Sequence, residues 1–263
     1  MNTIRAFRIE YNGAVRYAVK AGGAYRLVEG DVSAHRLESL KECAEAAATG
    51  GPEVIPSRIL APVLPSKVVA IGLNYKDHAA EMNKPLPAEP LMFIKPSTAV
   101  IGPGDAIRIP PNAGRIDHEA ELGVVIGRRA SRVAAENALE FVLGFTCFND
   151  VTARELQRKD VQYTRGKGFD TFAPIGPCIA IGLDPSALDI EGRVNGETRQ
   201  ASNTRQLIFS VERIVAFVSG VMTLLPGDVI ATGTPSGVGP LQPGDEVTVK
   251  IAGIGELRNS VTE

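Results

Sequence analysis

The prediction of the fold depends most on the stretch Ile116-Asp117-His118-Glu119-Ala120-Glu121-Leu122-Gly123-Val124-Val125-Ile126-Gly127. After Glu121 the residues are apolar and often β-branched, which predicts a strand that runs into Gly127. Successive side chains of a strand point to opposite faces, so Glu119 and Glu121 share one face, opposite His118 and Ala120. Two carboxylates this close raise each other's pKa unless a positive charge lies between them.

A second apolar run extends from Phe141 to Phe148 and is followed by Asn149-Asp150. A strand formed by this run can lie beside the first one and bring Asp150 close to the two glutamates. Three carboxylates with open coordination positions suit Mg²⁺ or Mn²⁺ rather than zinc, which prefers nitrogen and sulfur ligands. The alternative is that Glu119 and Glu121 lie on the solvated face of a half-buried sheet, which their spacing alone does not exclude.

The composition is that of an ordinary globular protein, and the 263 residues suffice for one large domain or for a large and a small one. The hydrophobic fraction is 44%, the charged fraction is 22%, and the net charge of −2 gives no reason to expect nucleic acid or an anionic membrane as a partner. No apolar run approaches the roughly 20 residues that span a bilayer, and the N-terminus lacks the pattern of a secretory signal. The scattered cysteines, Cys43, Cys147 and Cys178, are expected to be small buried hydrophobes. A cytoplasmic location is therefore expected.

Residues 1–60 are predicted to form a small β-rich N-terminal domain. Three strand patterns lie between Ile4 and Val28, and the pair Asn12-Gly13 between the first two is a strong hairpin signal. A helical pattern follows from Leu37 to Ala48. Three prolines between residues 56 and 65 then mark a linker to a larger domain, residues 61–263.

Strand patterns dominate the larger domain, and three Pro-Gly-Asp turns, which start at Pro103, Pro226 and Pro243, each precede a strand-like run. Long helices are few. The patterns predict one from Val151 to Lys159 and a better one from Ser210 to Leu225, with Ser210 as its N-cap. The fold class predicted from these elements is α+β, dominated by β-structure.

His78 is the histidine whose position suggests chemistry. If residues 76–82 form a helical turn, the imidazole of His78 and the carboxylate of Glu81 meet on one face. A carboxylate orients an imidazole and raises its basicity, which would make His78 a general base. The alternative is a surface histidine on a loop. His118 points away from the glutamates and is not expected to be a metal ligand, and His35 is expected at the surface.

Two Gly-rich segments could face an anionic substrate. Lys167 lies between Gly166 and Gly168, but the full phosphate-loop pattern is absent, so a solvated loop lysine is the alternative. The segment from Thr232 to Gly239 is rich in Gly and Thr, and its backbone N–H groups could approach a carboxylate. It could equally be a simple turn.

Taken together, these residues resemble the fumarylacetoacetate hydrolase family over about residues 61–260. The matching motifs, specific as an ordered set, are Gly72-Leu73-Asn74-Tyr75 with His78 and Glu81, Phe93-x-Lys95-Pro96, Glu119-x-Glu121, Asn149-Asp150, Lys167-x-Phe169-Asp170, Pro174-x-Gly176-Pro177, Asn195-Gly196-Glu197 and Thr232-Gly233-Thr234-Pro235. The resemblance implies a catalytic domain built as a mixed β-sandwich roll, and a homodimer. The small N-terminal domain is similar to that of the bacterial subgroup with acylpyruvate hydrolases, oxaloacetate decarboxylases and hydroxymuconate-type isomerases.

The resemblance also implies roles for single residues, which divide into three sets. The metal ligands for Mg²⁺ or Mn²⁺ would be Glu119, Glu121 and Asp150. The catalytic residues would be His78 and Glu81, on a lid over the substrate, and Lys167 in the pocket. The residues that contact the substrate would be Gln157 and Thr234, with Arg154 and Tyr75 as weaker candidates.

The predicted reaction starts from a 2-oxo acid that chelates the metal, which stabilises the enolate formed when a bond to C3 breaks. For an acylpyruvate, the favoured substrate, His78 with Glu81 would activate a water for C–C bond hydrolysis. Decarboxylation of oxaloacetate, or isomerisation of an unsaturated 2-hydroxy diacid such as 2-hydroxyhepta-2,4-diene-1,7-dioate, would use the same enolate. A non-catalytic metal-binding or ligand-binding protein is the alternative of a different class.

Overall fold

The computed structural model describes residues 3–30, 32, 37 and 39–263; the expected surface position of His35 lies outside this part of the chain. The described strands are β1 Ile4–Tyr11, β2 Ala14–Ala21, β3 Ala24–Leu27, β4 Glu53–Val54, β5 Arg58–Ile59, β6 Val68–Gly72, β7 Leu91–Lys95, β8 Val100–Ile101, β9 Ile107–Arg108, β10 Ile116–His118, β11 Ala120–Ile126, β12 Val142–Asn149, β13 Thr152–Ala153, β14 Ala173–Ile181, β15 Asp189–Val194, β16 Glu197–Asn203, β17 Val229–Ala231, β18 Gly239–Pro240, β19 Glu246–Ile251 and β20 Gly255–Thr262. The described α-helices are α1 Leu40–Gly50, α2 Lys76–Glu81, α3 Arg154–Asp160, α4 Thr164–Lys167 and α5 Val211–Val221.

The largest sheet contains the two strands predicted to carry Glu121 and to precede Asp150. Its strand order is β4-β3-β2-β1-β14-β12-β11-β17-β6-β7, with β5 and β8 paired at its sides. Strands β11 and β12 pair antiparallel with Ala120 opposite Asn149, while β17 and β6 pair parallel. The predicted strands over these segments are confirmed, and so is the β-dominated α+β fold class.

Both faces of the large sheet are covered, which gives a mixed sandwich-like roll. A five-stranded sheet in the order β16-β15-β19-β20-β9 contributes core residues such as Ile190 and Val249, which lie in one cluster with Leu122 and Phe145 of the large sheet. Helix α5 belongs to the same cluster. On the other face, α1 places Leu40 in a second cluster. Side chains of β11 alternate between the two faces of the sheet, and because both faces are covered all seven residues are buried.

The N-terminal strands continue the large sheet, because β1 pairs antiparallel with β14. The predicted hairpin is formed, and Asn12 and Gly13 at its turn both have positive φ, as a two-residue hairpin turn requires. Helix α1 begins at Leu40, three residues later than its predicted start, and ends at Gly50. The division into domains at residue 60 stays a prediction.

The two predicted long helices differ in outcome. Helix α5 is confirmed with Ser210 as its N-cap, where the Ser210 hydroxyl accepts a hydrogen bond from the Arg213 N–H at 3.4 Å, although it ends at Val221 rather than Leu225. The helix predicted from Val151 is wrong at its start. Residues 152–153 form strand β13, which pairs with β10, and α3 begins only at Arg154. No α-helix among the described residues is long and apolar enough to cross a membrane.

The Pro-Gly-Asp turn before β17 fixes the parallel pair of β17 and β6 through Asp228. This side chain is fully buried. It accepts hydrogen bonds from Ser66 N at 3.1 Å, Ser66 Oγ at 2.6 Å and Leu225 N at 2.8 Å, and it pairs with the Lys67 ammonium. Asp245 in the third turn of this type is only partly buried and accepts hydrogen bonds from Gln242 N and Asn195 Nδ2, each at 2.7 Å.

We expect Asp228→Ala to lower the free energy of unfolding by about 3 kcal/mol, because several donors lose their partner in a buried setting. The matched variant Asp245→Ala should cost about 1 kcal/mol. Urea unfolding followed by circular dichroism measures both values. Equal losses in the two variants would contradict the buried role of Asp228.

Candidate metal centre and active site

Three buried carboxylates lie together at the point where strand β11 begins and strand β12 ends. Glu119 lies between β10 and β11, Glu121 is the second residue of β11, and Asp150 follows the last residue of β12. The antiparallel register and a hydrogen bond from Asp150 N to Glu119 O at 2.9 Å hold these positions together. One oxygen from each carboxylate can be chosen so that all three lie within 4.8 Å of one another. This set could hold a metal ion, and the solvated alternative is excluded by the burial of all three side chains.

Two of the three carboxylates have cationic partners. Lys167 Nζ lies 2.9 Å from Glu119 Oε2 and 2.6 Å from Asp150 Oδ2. Asp150 also pairs with the Lys95 ammonium, and Glu119 pairs with the Arg154 guanidinium. Burial by itself would raise the pKa of Glu119, but Lys167 and Arg154 outweigh it and lower that pKa to about 2.

Glu121 differs from its two neighbours because no cationic side chain of the described residues forms an ion pair with it. It accepts one hydrogen bond, from Gly233 N at 2.8 Å. Burial first, and then the charges of Asp150 and Glu119, raise the pKa of Glu121 well above its usual range. A hard divalent cation is bound by carboxylate oxygens and would supply the missing positive charge, so the donor set fits Mg²⁺ or Mn²⁺.

Lys95 contacts the carboxylate cluster, although no role was predicted for it from the sequence. It ends strand β7, is fully buried, and donates a hydrogen bond to Val151 O at 3.1 Å besides its pairing with Asp150. Burial lowers the pKa of Lys95, whereas the pKa of Lys167 is raised because the nearby carboxylates outweigh its burial. The signal available in the sequence was the motif Phe93-x-Lys95-Pro96, in which a lysine ends an apolar strand.

His78 and Glu81 form a hydrogen-bonded pair on α2. His78 Nδ1 lies 2.9 Å from Glu81 Oε2, as the predicted spacing on a helical turn requires. The other carboxylate oxygen, Glu81 Oε1, accepts a hydrogen bond from Gly237 N at 3.1 Å. Gly237 has φ +91°, and a Cβ at this position would lie 2.0 Å from the carbonyl oxygen of Arg199, so only glycine fits there.

The pair and the carboxylates line the same cleft, whose volume is about 540 Å³. Of the residues predicted to contact substrate, Arg154, Gln157 and Thr234 also line it. Arg154 donates a hydrogen bond to Gln157 Oε1 at 3.1 Å. Thr234 Oγ1 donates to Ala120 O at 2.9 Å and accepts from Gln200 Nε2 at 2.8 Å, which ties the Gly/Thr segment to strand β11.

Tyr75, the fourth residue predicted to contact the substrate, lies outside the cleft. Its ring is fully buried in the core cluster that contains Leu122, it does not line the cleft, and its hydroxyl has no hydrogen-bond partner among the described residues. Burial raises the pKa of Tyr75. The predicted substrate contact is therefore not supported by the position of its side chain. His118 does not line the cleft, and its Nδ1 lies 3.1 Å from Gln200 Oε1.

Residues 67–262 match the fumarylacetoacetate (FAA) hydrolase C-terminal domain. The chain belongs to the fumarylacetoacetate hydrolase family. The mitochondrial oxaloacetate tautomerase FAHD2A of Bos taurus is 46% identical over 215 residues, which cover 77% of this chain and 68% of the relative.

Solved structures of this family superpose along nearly the whole chain. The 5-carboxymethyl-2-hydroxymuconate delta-isomerase of Mycobacterium smegmatis is 43% identical with a TM-score of 0.85, and the match covers 98% of each chain. The fumarylacetoacetate hydrolase of the psychrophilic Exiguobacterium antarcticum is 38% identical with a TM-score of 0.89, covering 98% of this chain and 99% of the other. The predicted family and its mixed β-sandwich roll are confirmed.

The unpaired charge of Glu121 leads to a prediction for the variant Glu121→Gln. A raised pKa means that the folded state binds the proton more tightly than the unfolded chain, so stability is lost as the pH rises through the folded pKa. In the presence of a chelator at pH 7.5, Glu121→Gln, with its neutral amide, should therefore have a higher melting temperature than the wild type. The same variant should weaken Mn²⁺ binding by at least about 100-fold, because one of three ligands is lost.

Scanning fluorimetry and Mn²⁺ titration followed by electron paramagnetic resonance measure the two effects. Glu81→Gln, which changes a carboxylate of the same cleft outside the cluster, is the control and should keep Mn²⁺ binding. Unchanged Mn²⁺ affinity in Glu121→Gln would show that the three carboxylates are not the metal centre.

Proposed function

We propose that this protein is a Mg²⁺-dependent or Mn²⁺-dependent enzyme that converts a 2-oxo acid by way of its enolate. The observation that carries the proposal is one cleft that combines three buried carboxylates, of which Glu121 lacks a cationic partner, with an imidazole that a carboxylate orients. Members of the family are enzymes, and a binding protein would need no oriented imidazole.

The metal, when bound, would supply a positive charge that stabilises the negative charge developing on the 2-oxo group. Glu119, Glu121 and Asp150 would hold it. Lys167 lies between two of these carboxylates and would contribute a second positive charge toward the oxygen atoms of the substrate.

Arg154, Gln157 and Thr234 are proposed to orient the substrate. The guanidinium of Arg154 is itself held by Asp117, through a contact of 2.7 Å to Oδ2, and by Glu119. Because these pairs fix the guanidinium, its remaining N–H groups and the amide of Gln157 can bind an anionic substrate without a further loss of side-chain freedom.

His78 is proposed to move the proton. A hydrogen on Nδ1, donated to Glu81 Oε2, leaves the lone pair of Nε2 free to accept a proton from C3 or from a water molecule. The hydrogen bond from Gly237 N to Glu81 keeps the carboxylate in place. Glu81 thereby sets the tautomer and the direction of the imidazole.

Besides decarboxylation of oxaloacetate, two overall reactions are compatible with this arrangement. Hydrolysis of an acylpyruvate, the reaction predicted from the sequence, needs a water molecule as well as the base, and the hydrolase of E. antarcticum supports it. Proton transfer within a 2-oxo acid needs only the base and the metal. It is supported by the oxaloacetate tautomerase and the delta-isomerase, which are more similar in sequence, and we rank it first.

A panel of substrates separates these reactions. Acetylpyruvate and the enol form of oxaloacetate are mixed with chelated protein, with and without added Mg²⁺, and followed by ultraviolet absorbance. We expect a Mg²⁺-dependent change of absorbance. Released pyruvate from acetylpyruvate identifies hydrolysis, and released carbon dioxide from oxaloacetate identifies decarboxylation. Consumption of the enol without release of either product identifies proton transfer.

The variant His78→Ala is the control for the same panel. It should retain Mn²⁺ binding and lose at least about 100-fold in turnover, the usual contribution of a general base. Full activity in this variant would contradict the role of the imidazole. A wild-type protein that binds the metal and acts on none of the substrates would contradict the proposed function.

A further inference from the structure

Gln200 is a buried amide that has no role in the proposed chemistry. Of the seven described residues of β16 it is the buried one, while the other six are exposed or half-buried. A polar side chain in such a setting costs free energy unless its hydrogen-bonding atoms find partners. Every hydrogen-bonding atom of Gln200 does find a partner.

Two backbone contacts fix the orientation of this amide. Its Oε1 lies 2.9 Å from Ala120 N, and its Nε2 lies 2.9 Å from Pro235 O. Because a backbone N–H only donates and a carbonyl only accepts, the oxygen and the nitrogen of the amide cannot be exchanged. Oε1 also lies 3.1 Å from His118 Nδ1, and Nε2 donates to Thr234 Oγ1 at 2.8 Å. The amide thus uses its full hydrogen-bonding capacity to join the Gly/Thr segment to the junction of β10 and β11.

The hydroxyl of Thr234 closes a ring of hydrogen bonds around this amide. Because Thr234 Oγ1 accepts from Gln200, its single hydrogen is the one donated to Ala120 O at 2.9 Å. Ala120 N in turn donates to Gln200. The ring therefore fixes the Gly/Thr segment at the residue that lies between Glu119 and Glu121.

The end of the Gly/Thr segment next to the metal centre is also held without Gln200. Thr232 N and Thr232 Oγ1 each donate to Leu122 O at 3.0 Å. Thr232 O accepts from Asn74 Nδ2 at 2.7 Å. The next N–H group along the chain, which contacts Glu121, is thereby anchored from β11 and from the residues before α2.

The end of the segment next to the imidazole depends on Gln200. Among the described residues, the hydrogen bonds of residues 235–238 are those from Gln200 Nε2 to Pro235 O and from Gly237 N to Glu81 Oε1. Gly237 also packs closely on β16, since a Cβ at this position would lie 3.3 Å from Gln200 Cα. The N–H group that holds Glu81 is thus supported by Gln200.

A second residue of β16 holds the helix that carries the imidazole. Residues 200 and 202 of one strand point to the same face. Ser202 Oγ donates a hydrogen bond to Asp77 Oδ2, and Asp77 Oδ1 accepts one from His78 N at 2.7 Å. Strand β16 therefore contacts the supports of both members of the pair, that of Glu81 through Gln200 and that of His78 through Ser202.

From these contacts we propose that Gln200 and Ser202 are positioning residues, which hold the pair of His78 and Glu81 in place relative to the metal centre. The inference rests on the proposed function, in which this pair moves the proton. Neither residue lines the cleft. Because a misplacement of about 1 Å can lower a rate about 100-fold, loss of either contact lowers kcat. The metal ligands are held by the pairing of β11 with β12 and keep their affinity for the ion.

The first test compares turnover with metal binding in two variants. Gln200→Met keeps the length of the side chain without its hydrogen bonds, and Ser202→Ala removes the contact to Asp77. We expect each variant to lose about tenfold in kcat for the enol form of oxaloacetate with Mg²⁺, with KM much less affected. The Mn²⁺ dissociation constant, measured by electron paramagnetic resonance, should equal that of the wild type.

Thr198→Val is the matched control, because Thr198 is an exposed residue of the same strand that does not line the cleft and whose hydroxyl forms no hydrogen bond with any residue in the described ranges. Its kcat should equal that of the wild type. If Gln200→Met fails to fold, Ser202→Ala carries the test, because its side chain is only half-buried.

The second test reads the imidazole without turnover. The tautomer of His78 is measured by ¹⁵N nuclear magnetic resonance on Mg²⁺-loaded protein, at a pH where the imidazole is neutral. The chain has three histidines, and the spectrum of His78→Ala identifies the signal. In the wild type the hydrogen should lie on Nδ1, which faces Glu81. In Gln200→Met and Ser202→Ala, the fraction of this tautomer should fall.

Wild-type kcat and a wild-type tautomer in both variants would overturn the inference alone. A loss of Mn²⁺ affinity in proportion to the loss of kcat would also overturn it, because the two residues would then support the metal centre or the whole fold. A wild-type protein that binds Mn²⁺ and acts on no substrate would overturn the proposed function, and the tautomer would still show whether β16 holds the imidazole.

Discussion

The burial of Glu119, Glu121 and Asp150 against one another is the constraint on which the rest of the site depends. Isolated buried carboxylates are costly, and each therefore needs a positive charge or a proton. Lys95 lies at the end of β7 and Lys167 at the end of α4. Asp150 pairs with both lysines, and Glu119 also pairs with Lys167. Glu121 receives only a backbone N–H. Because of this unequal distribution the salt-bridge network is incomplete at Glu121, and the cluster could hold a cation there.

One segment, from Thr232 to Val238, connects the cluster to the base. Gly233 N contacts Glu121, Thr234 Oγ1 contacts the backbone of Ala120, and Gly237 N contacts Glu81. Gln200, buried on β16, binds Thr234 Oγ1, Pro235 O and Ala120 N, and so fixes this segment on strand β11. Contacts from one loop therefore hold the carboxylate cluster and the imidazole in position relative to each other, and glycines with positive φ at 233 and 237 allow these contacts.

The sequence predicted the parts of the fold that depend on local pattern. The alternation around Glu119 and Glu121, the run that ends at Asp150, and the spacing of His78 and Glu81 all reappear as expected. What it did not predict arises from contacts distant in sequence. Lys95 is 55 residues from its partner Asp150. Tyr75 packs in the core. Residues 152–153 form a strand because they pair with β10.

The most direct measurement is a crystal structure with Mn²⁺ and oxalate, a stable analogue of an enolised 2-oxo acid, using diffraction data collected at the manganese absorption edge. We expect one anomalous peak among Glu119, Glu121 and Asp150, with oxalate in contact with that ion and facing His78. Mn²⁺ bound at another position, or at this one with oxalate bound elsewhere, would contradict the assignment of the cluster as a metal centre for 2-oxo acids.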